Sequence, residues 1–110
     1  PLLMSIDAEW GLAMRVEKTP QYPYAITLGA LPMDKKNLIY EVGKQIGLDL
    51  KSAGIHYNLA PLADINNNPK NPVIGYRSFG ENKEKRYIKC SGDPADKKIF
   101  YNFLFTNSLL

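Results

Sequence analysis

The chain has 110 residues, 45% of them hydrophobic and 23% charged, which suits one globular domain of ordinary size. No stretch approaches the ~20 consecutive apolar residues of a membrane helix, and the single Cys90 excludes an intrachain disulfide and, with one histidine beside it, gives no basis for a structural zinc site. The net charge of +3 is confined to residues 83–98, where six basic residues stand against three acidic ones.

Residues 2–6 form an almost continuous apolar run that ends at Asp7. That pattern predicts a strand buried on both faces, as in a parallel sheet. The same start has no basic region and meets an acid early, so it does not read as a signal peptide. It also lacks an initiator methionine, which fits a removed leader or a piece of a longer chain. Glu9, Trp10 and Gly11 follow as a loop, and residues 12–16 continue it as an irregular or extended piece. Residues 19–24 carry Pro20 and Pro23 and read as a loop. Residues 25–30 predict a short helix closing near Gly29.

Asp34 is placed to cap a long helix over residues 35–53. Leu38, Ile39, Val42, Ile46 and Leu50 recur at three- and four-residue spacing and make one apolar stripe. Gly43 and Gly47 each cost a helix roughly 1 kcal/mol, which close packing against that stripe would explain. Gly54 sits where a C-terminal cap glycine belongs. Residues 55–62 are the second apolar run and the second predicted strand, with His56 read as a core histidine with its hydrogen bonds satisfied.

The order strand, helix, strand, with a long crossover, predicts parallel pairing. In such sheets the carboxyl ends of the strands lie on one side, and ligands bind there. Asp7 and Asp64 follow the two strands. They and the loop running to Arg77 are therefore expected at one common site. That loop, residues 63–80, is rich in asparagine and proline. Pro69 and Pro72 push Asn68 and Asn71 into extended conformations, and asparagine and glycine tolerate left-handed turns. An ordinary surface connection would have similar chemistry.

The run Ser5-Ile6-Asp7-Ala8-Glu9-Trp10-Gly11, the strand Gly54-Ile-His-Tyr-Asn-Leu-Ala-Pro61 and the motif from Asp64 through Gly-Tyr-Arg77-Ser-Phe-Gly-Glu81 together resemble the N-terminal domain of glycoside hydrolase family 3. The bacterial β-N-acetylhexosaminidase branch is the most similar, and the likeness covers about residues 1–82. The resemblance implies an α/β fold, the first two or three strand–helix units of a TIM (β/α)8 barrel. It implies retaining exo-glycosidases that release a terminal β-linked sugar, using a carboxylate nucleophile and a general acid/base. In this branch the nucleophile is an aspartate on a late barrel strand and the acid/base is a His-Asp pair on a mobile loop. Neither has a counterpart in these 110 residues.

Three family positions do carry over. Asp7 matches a carboxylate that grips sugar hydroxyls, which its two acceptor oxygens suit. Arg15 matches a second pocket residue, and Arg77 an arginine of the sugar subsite. These are the expected substrate-binding residues; no catalytic residue, metal or cofactor is expected. Each has a plainer reading. Asp7 could cap its strand, Arg15 could form a surface ion pair, and Arg77 could brace its loop through Asp64 or backbone carbonyls while also meeting sugar. Trp10 suits either sugar stacking or support beneath the loop. Glu9, Asp64 and Glu81 resemble paired carboxylates, yet the family does not use them as catalysts.

Beyond Glu81 the resemblance fades. Residues 83–110 are expected to form a divergent tail, produced by a shift or rearrangement of the coding sequence near residue 82. The expected function is that of a fragment of a β-N-acetylhexosaminidase, inactive alone, with a carbohydrate as partner. A stand-alone carbohydrate-binding or pseudoenzyme module is the alternative, with β-glucosidase specificity a weaker one. A phosphate or nucleic-acid binder using residues 83–98 is disfavoured, because that segment is short, mixed in sign and poor in aromatics.

Overall fold

The computed structural model of the chain describes residues 2–85. Strand β1 is Ser5–Ile6, helix α1 is Ala25–Gly29, helix α2 is Lys36–Ser52 and strand β2 is Tyr57–Asn58. Single turns of 3-10 helix occupy Leu12–Met14, Met33–Lys35 and Gly75–Arg77.

The two strands pair in parallel, with Ser5 opposite Tyr57 and Ile6 opposite Asn58. Neighbouring backbone groups extend the pairing. The His56 and Tyr57 amides donate to the Met4 carbonyl at 2.9 and 3.1 Å, and the Leu59 amide donates to Ile6 at 2.8 Å. The Asn58 side chain carries the ladder one step further. Its Nδ2 donates to the Ala8 carbonyl at 3.2 Å, and its Oδ1 accepts from the Ala8 amide at 3.1 Å. A primary amide presents the same donor and acceptor as a peptide group, so Asn58 acts as an extra rung.

Helix α2 buries Ile39, Gly43, Ile46 and Leu50 as one seam. Ile46 and Leu50 meet Ala8, with Ile6, Leu12, Tyr22, Val42 and Ile55 packed around them. A second cluster joins Ile39 to Phe79, flanked by Ala25, Leu28 and Leu31. At the C-terminus of α2, Gly54 takes φ 75°. Its amide donates to Lys51 at 3.0 Å and the Ile55 amide donates to Leu50 at 2.9 Å. This pair of bonds is a Schellman cap, and Ile55 packs against the apolar cluster that contains Leu50.

Four expectations are corrected. The strands are much shorter than the apolar runs at residues 2–6 and 55–62. Each has one partner among the described residues, and Pro61 lacks the amide that would prolong pairing. Residues 2–4 are not buried on both faces; Leu2 is 84% and Leu3 78% exposed. Asp34 does not cap α2. It lies in the 3-10 turn ahead of it, and the capping position is Lys35, with no side-chain cap. Leu38 is exposed, because the seam centres on Ile39 and Gly43 and turns Leu38 away. The piece at residues 12–16 includes a 3-10 turn at Leu12–Met14. No helix among the described residues is long and apolar enough to cross a membrane. The expected divergent tail lies outside the described residues from position 86 onward.

Candidate functional site

Asp7 directly follows β1, at the carboxyl end of the parallel pair. Arg15 reaches back to it from the end of the Leu12–Met14 turn. The Arg15 side chain donates through Nε to the Asp7 carbonyl at 3.1 Å and through a terminal nitrogen to Asp7 Oδ2 at 2.9 Å. The other carboxylate oxygen, Asp7 Oδ1, is buried and has no hydrogen-bond partner among the described residues. Asp7 also contributes attraction to the Arg77 guanidinium, so the two groups share one electrostatic neighbourhood.

Arg77 ends the Gly75–Arg77 turn and is held against Glu9. Its Nε donates to Glu9 Oε1 at 2.9 Å and to Oε2 at 3.2 Å, and one terminal nitrogen donates to Oε1 at 2.6 Å. The other terminal nitrogen donates to the Val73 carbonyl at 3.1 Å. The Glu9 side chain is only 7% exposed, against 28% for Arg77. The hydrogen bond to Glu9 raises the pKa of Arg77, against the opposing effect of burial. Glu9 is the covered member of the pair, so removing Arg77 leaves a carboxylate without compensation in a poorly hydrated site.

The rest of the loop is fixed by its own polar groups. Ser78 Oγ donates to the Asp64 carbonyl at 2.7 Å, and the Asn66 amide donates to Gly80 at 3.1 Å. Asn68 and Asn71 accept from the Lys70 and Val73 amides at 3.1 and 2.9 Å, the Asx turns that such residues favour. Three aromatic rings meet beside the ion pair. Trp10 meets Tyr24 edge-on at 4.8 Å, Tyr24 meets Tyr76 at 4.8 Å, and Trp10 and Tyr76 are 6.3 Å apart. Tyr76 stays 51% exposed.

The three sequence-predicted site residues thus fall into two linked pairs, Asp7 with Arg15 and Arg77 with Glu9. Asp64 departs from expectation. It lies beyond the end of β2, its side chain is in no described ion pair, and Arg77 is braced by Glu9 and Val73 instead. His56 is half-buried, and its Nδ1 accepts from the Met4 amide at 3.1 Å. Glu9 was visible in the sequence only as one of several carboxylates. Its partner lies 68 residues away, and no local pattern links them. An open apolar groove of about 460 Å³ lies between α1 and α2, lined by Tyr22, Leu28, Leu31, Leu38 and Val42 among others. It is separate from the strand-end residues.

A parallel strand–helix–strand unit with a polar cluster at the strand ends fits the opening of a TIM-type barrel, as it fits other parallel α/β folds. The family model described as "Glycosyl hydrolase family 3 N terminal domain" matches residues 1–88, and the chain belongs to this family. Beta-hexosaminidase A of Pseudoalteromonas piscicida is 42% identical over 86 residues, covering 74% of this chain and 14% of its own. A family 3 β-N-acetylglucosaminidase from Paenibacillus sp. str. FPU-7 is 43% identical with a TM-score of 0.74, covering 84% of this chain and 17% of its own. A family 3 glycosyl hydrolase from Mycobacterium smegmatis str. MC2 155 shares the fold, with a TM-score of 0.66 at 24% identity, over 90% of this chain and 32% of its own. The chain therefore spans a small part of the length of each of these relatives, and its fold is a partial TIM-type barrel.

Proposed function

We propose that these residues form the sugar-gripping part of a retaining exo-glycosidase that releases terminal β-linked N-acetylhexosamine. Asp7, Arg15 and Arg77 are its substrate-binding residues. The observation that carries this reading is Asp7 Oδ1. Buried acceptors nearly always find a donor, and here Arg15 satisfies one oxygen while the other has no partner among the described residues. A sugar hydroxyl supplies the missing donor, through a charge-assisted bond. The hexosaminidase and N-acetylglucosaminidase activities named for the two relatives above 40% identity support the glycone.

The reading assigns binding, and not chemistry, to the 110 residues. The family's nucleophile and acid/base have no counterpart here, so turnover needs groups from outside this sequence. Residues 83–110 form a divergent tail in this reading, and translation of the other two frames downstream of codon 82 tests it.

Calorimetry with N-acetylglucosamine and with glucose tests the binding. Weak binding of N-acetylglucosamine is expected, and Asp7→Asn weakens it by about tenfold through loss of a charge-assisted bond. Binding that is absent, or indifferent to Asp7→Asn, sinks the proposal. A chromogenic β-N-acetylglucosaminide is expected to stay intact with the 110-residue chain. Hydrolysis would show that the catalytic groups lie within it.

A further inference from the structure

The geometry points to Glu9 as a positioning residue that fixes the plane of Arg77 for the ligand. The observation is how completely the arginine is constrained. A guanidinium carries five N–H donors. Glu9 takes the one on Nε and one on a terminal nitrogen, and Val73 takes one on the other terminal nitrogen. Those bonds set both the position and the rotation of the planar group. Among the described residues, one N–H on each terminal nitrogen is left over, and these two lie in the plane that Glu9 dictates.

Glu9 is suited to hold and not to react. Its carboxylate is almost fully covered, and both oxygens are already occupied by Arg77. It follows β1 by three residues, so the rigid end of the sheet supports it. Arg77 sits on an irregular loop that has no strand of its own. The pair thus transfers the order of the sheet to the loop. Trp10 and Tyr76, the chain neighbours of Glu9 and Arg77, bring their rings within 6.3 Å and join the two segments a second time. Pre-ordering of this kind lowers the entropy that a ligand must otherwise supply. A guanidinium swinging freely would offer the same charge without a fixed direction.

The role for the ligand rests on the sugar-binding reading above, but the positioning itself does not. The experiment separates them by two readouts on the 110-residue chain and its Glu9→Gln and Glu9→Asp variants. The first is solvent exchange of the Arg77 Nε–H, observed by nitrogen-15 NMR and assigned by its disappearance in Arg77→Lys. Exchange is expected to accelerate at least about tenfold in both variants, because glutamine offers one oxygen and no charge while aspartate keeps the charge but loses reach. Emission of Trp10, the sole tryptophan, reports that each variant is folded. The second readout is affinity for N-acetylglucosamine, expected to fall about tenfold in both variants. Equal loss in Glu9→Asp sets positioning apart from a mere need for negative charge. Unchanged Nε–H exchange in the folded variants overturns the inference whatever the sugar does. Rapid exchange with unchanged affinity overturns its role in binding. If the unmodified chain binds no sugar, the proposed function fails by itself, and exchange alone decides whether Glu9 positions Arg77.

Discussion

Tyr22 shows how one residue couples the first loop to α2. Its hydroxyl donates to Asp49 Oδ2 at 2.6 Å, and Gln45 Nε2 donates to Asp49 Oδ1 at 3.1 Å. Burial first, then the hydrogen bond and negative charge of Asp49, push the Tyr22 pKa up to about 12. The folded state therefore keeps a proton that the unfolded chain releases near pH 10. Stability from this group is complete below pH 10 and is lost as pH rises towards 12. Denaturant unfolding at pH 8 and at pH 11 is expected to show that decline, and Tyr22→Phe is expected to flatten it. Residue identities at the site were legible to different degrees. Asp7, Arg15 and Arg77 were marked by their motifs, and their ion pairs use reach and charge that the residue types advertise. Glu9 was present in the same motif, but its role depends on a contact made only after the chain has folded back.

Among the elements, α2 was the most legible, since a 3.6-residue period needs no knowledge of partners. Its start was less so: Asp34 has the chemistry of a cap, but the preceding 3-10 turn moves the boundary past it. Strand length could not be read, because an apolar run reports burial potential, whereas pairing needs a neighbour. The ladder instead depends on Asn58. Asn58→Ala removes the side chain that satisfies the buried Ala8 amide, while the Ala8 carbonyl keeps the Gly11 amide as a donor. The expected cost is about 1–3 kcal/mol for the one amide left unpaired. A fall in urea midpoint with an unchanged slope would report it, and no change in midpoint would refute the role of Asn58 as an added rung.

At the scale of the whole molecule, two apolar clusters hold α2 between the sheet and the long loop. The second depends on Gly29, whose α-carbon lies close to the backbone of Phe79. A β-carbon there would overlap the Phe79 carbonyl group, which cannot yield as a flexible side chain can. Gly29→Ala is expected to cost about 1–3 kcal/mol or more by overpacking. Thermal denaturation measures it, and a Tm equal to that of the unmodified chain would contradict the close approach. The turn chemistry of residues 63–80 indicated an ordered loop, yet its seat on α1 and α2 came from the single buried Phe79, which no periodic pattern exposes. The parallel order of strands was legible because topology follows from the length of the crossover.

The cap at Gly54 has a further consequence. A strand of two residues is too short to choose its own alignment, so the point at which α2 stops must do so. From Gly54, the chain needs only Ile55 and His56 to reach Tyr57. Side chains alternate between faces along an extended segment. One inserted residue between Gly54 and Tyr57 would reverse that alternation, turning Asn58 away from Ala8 and exposed Leu59 towards the interior. The end of the helix thus acts as a phase lock for the sheet, and the segment tolerates substitution far better than a change in length.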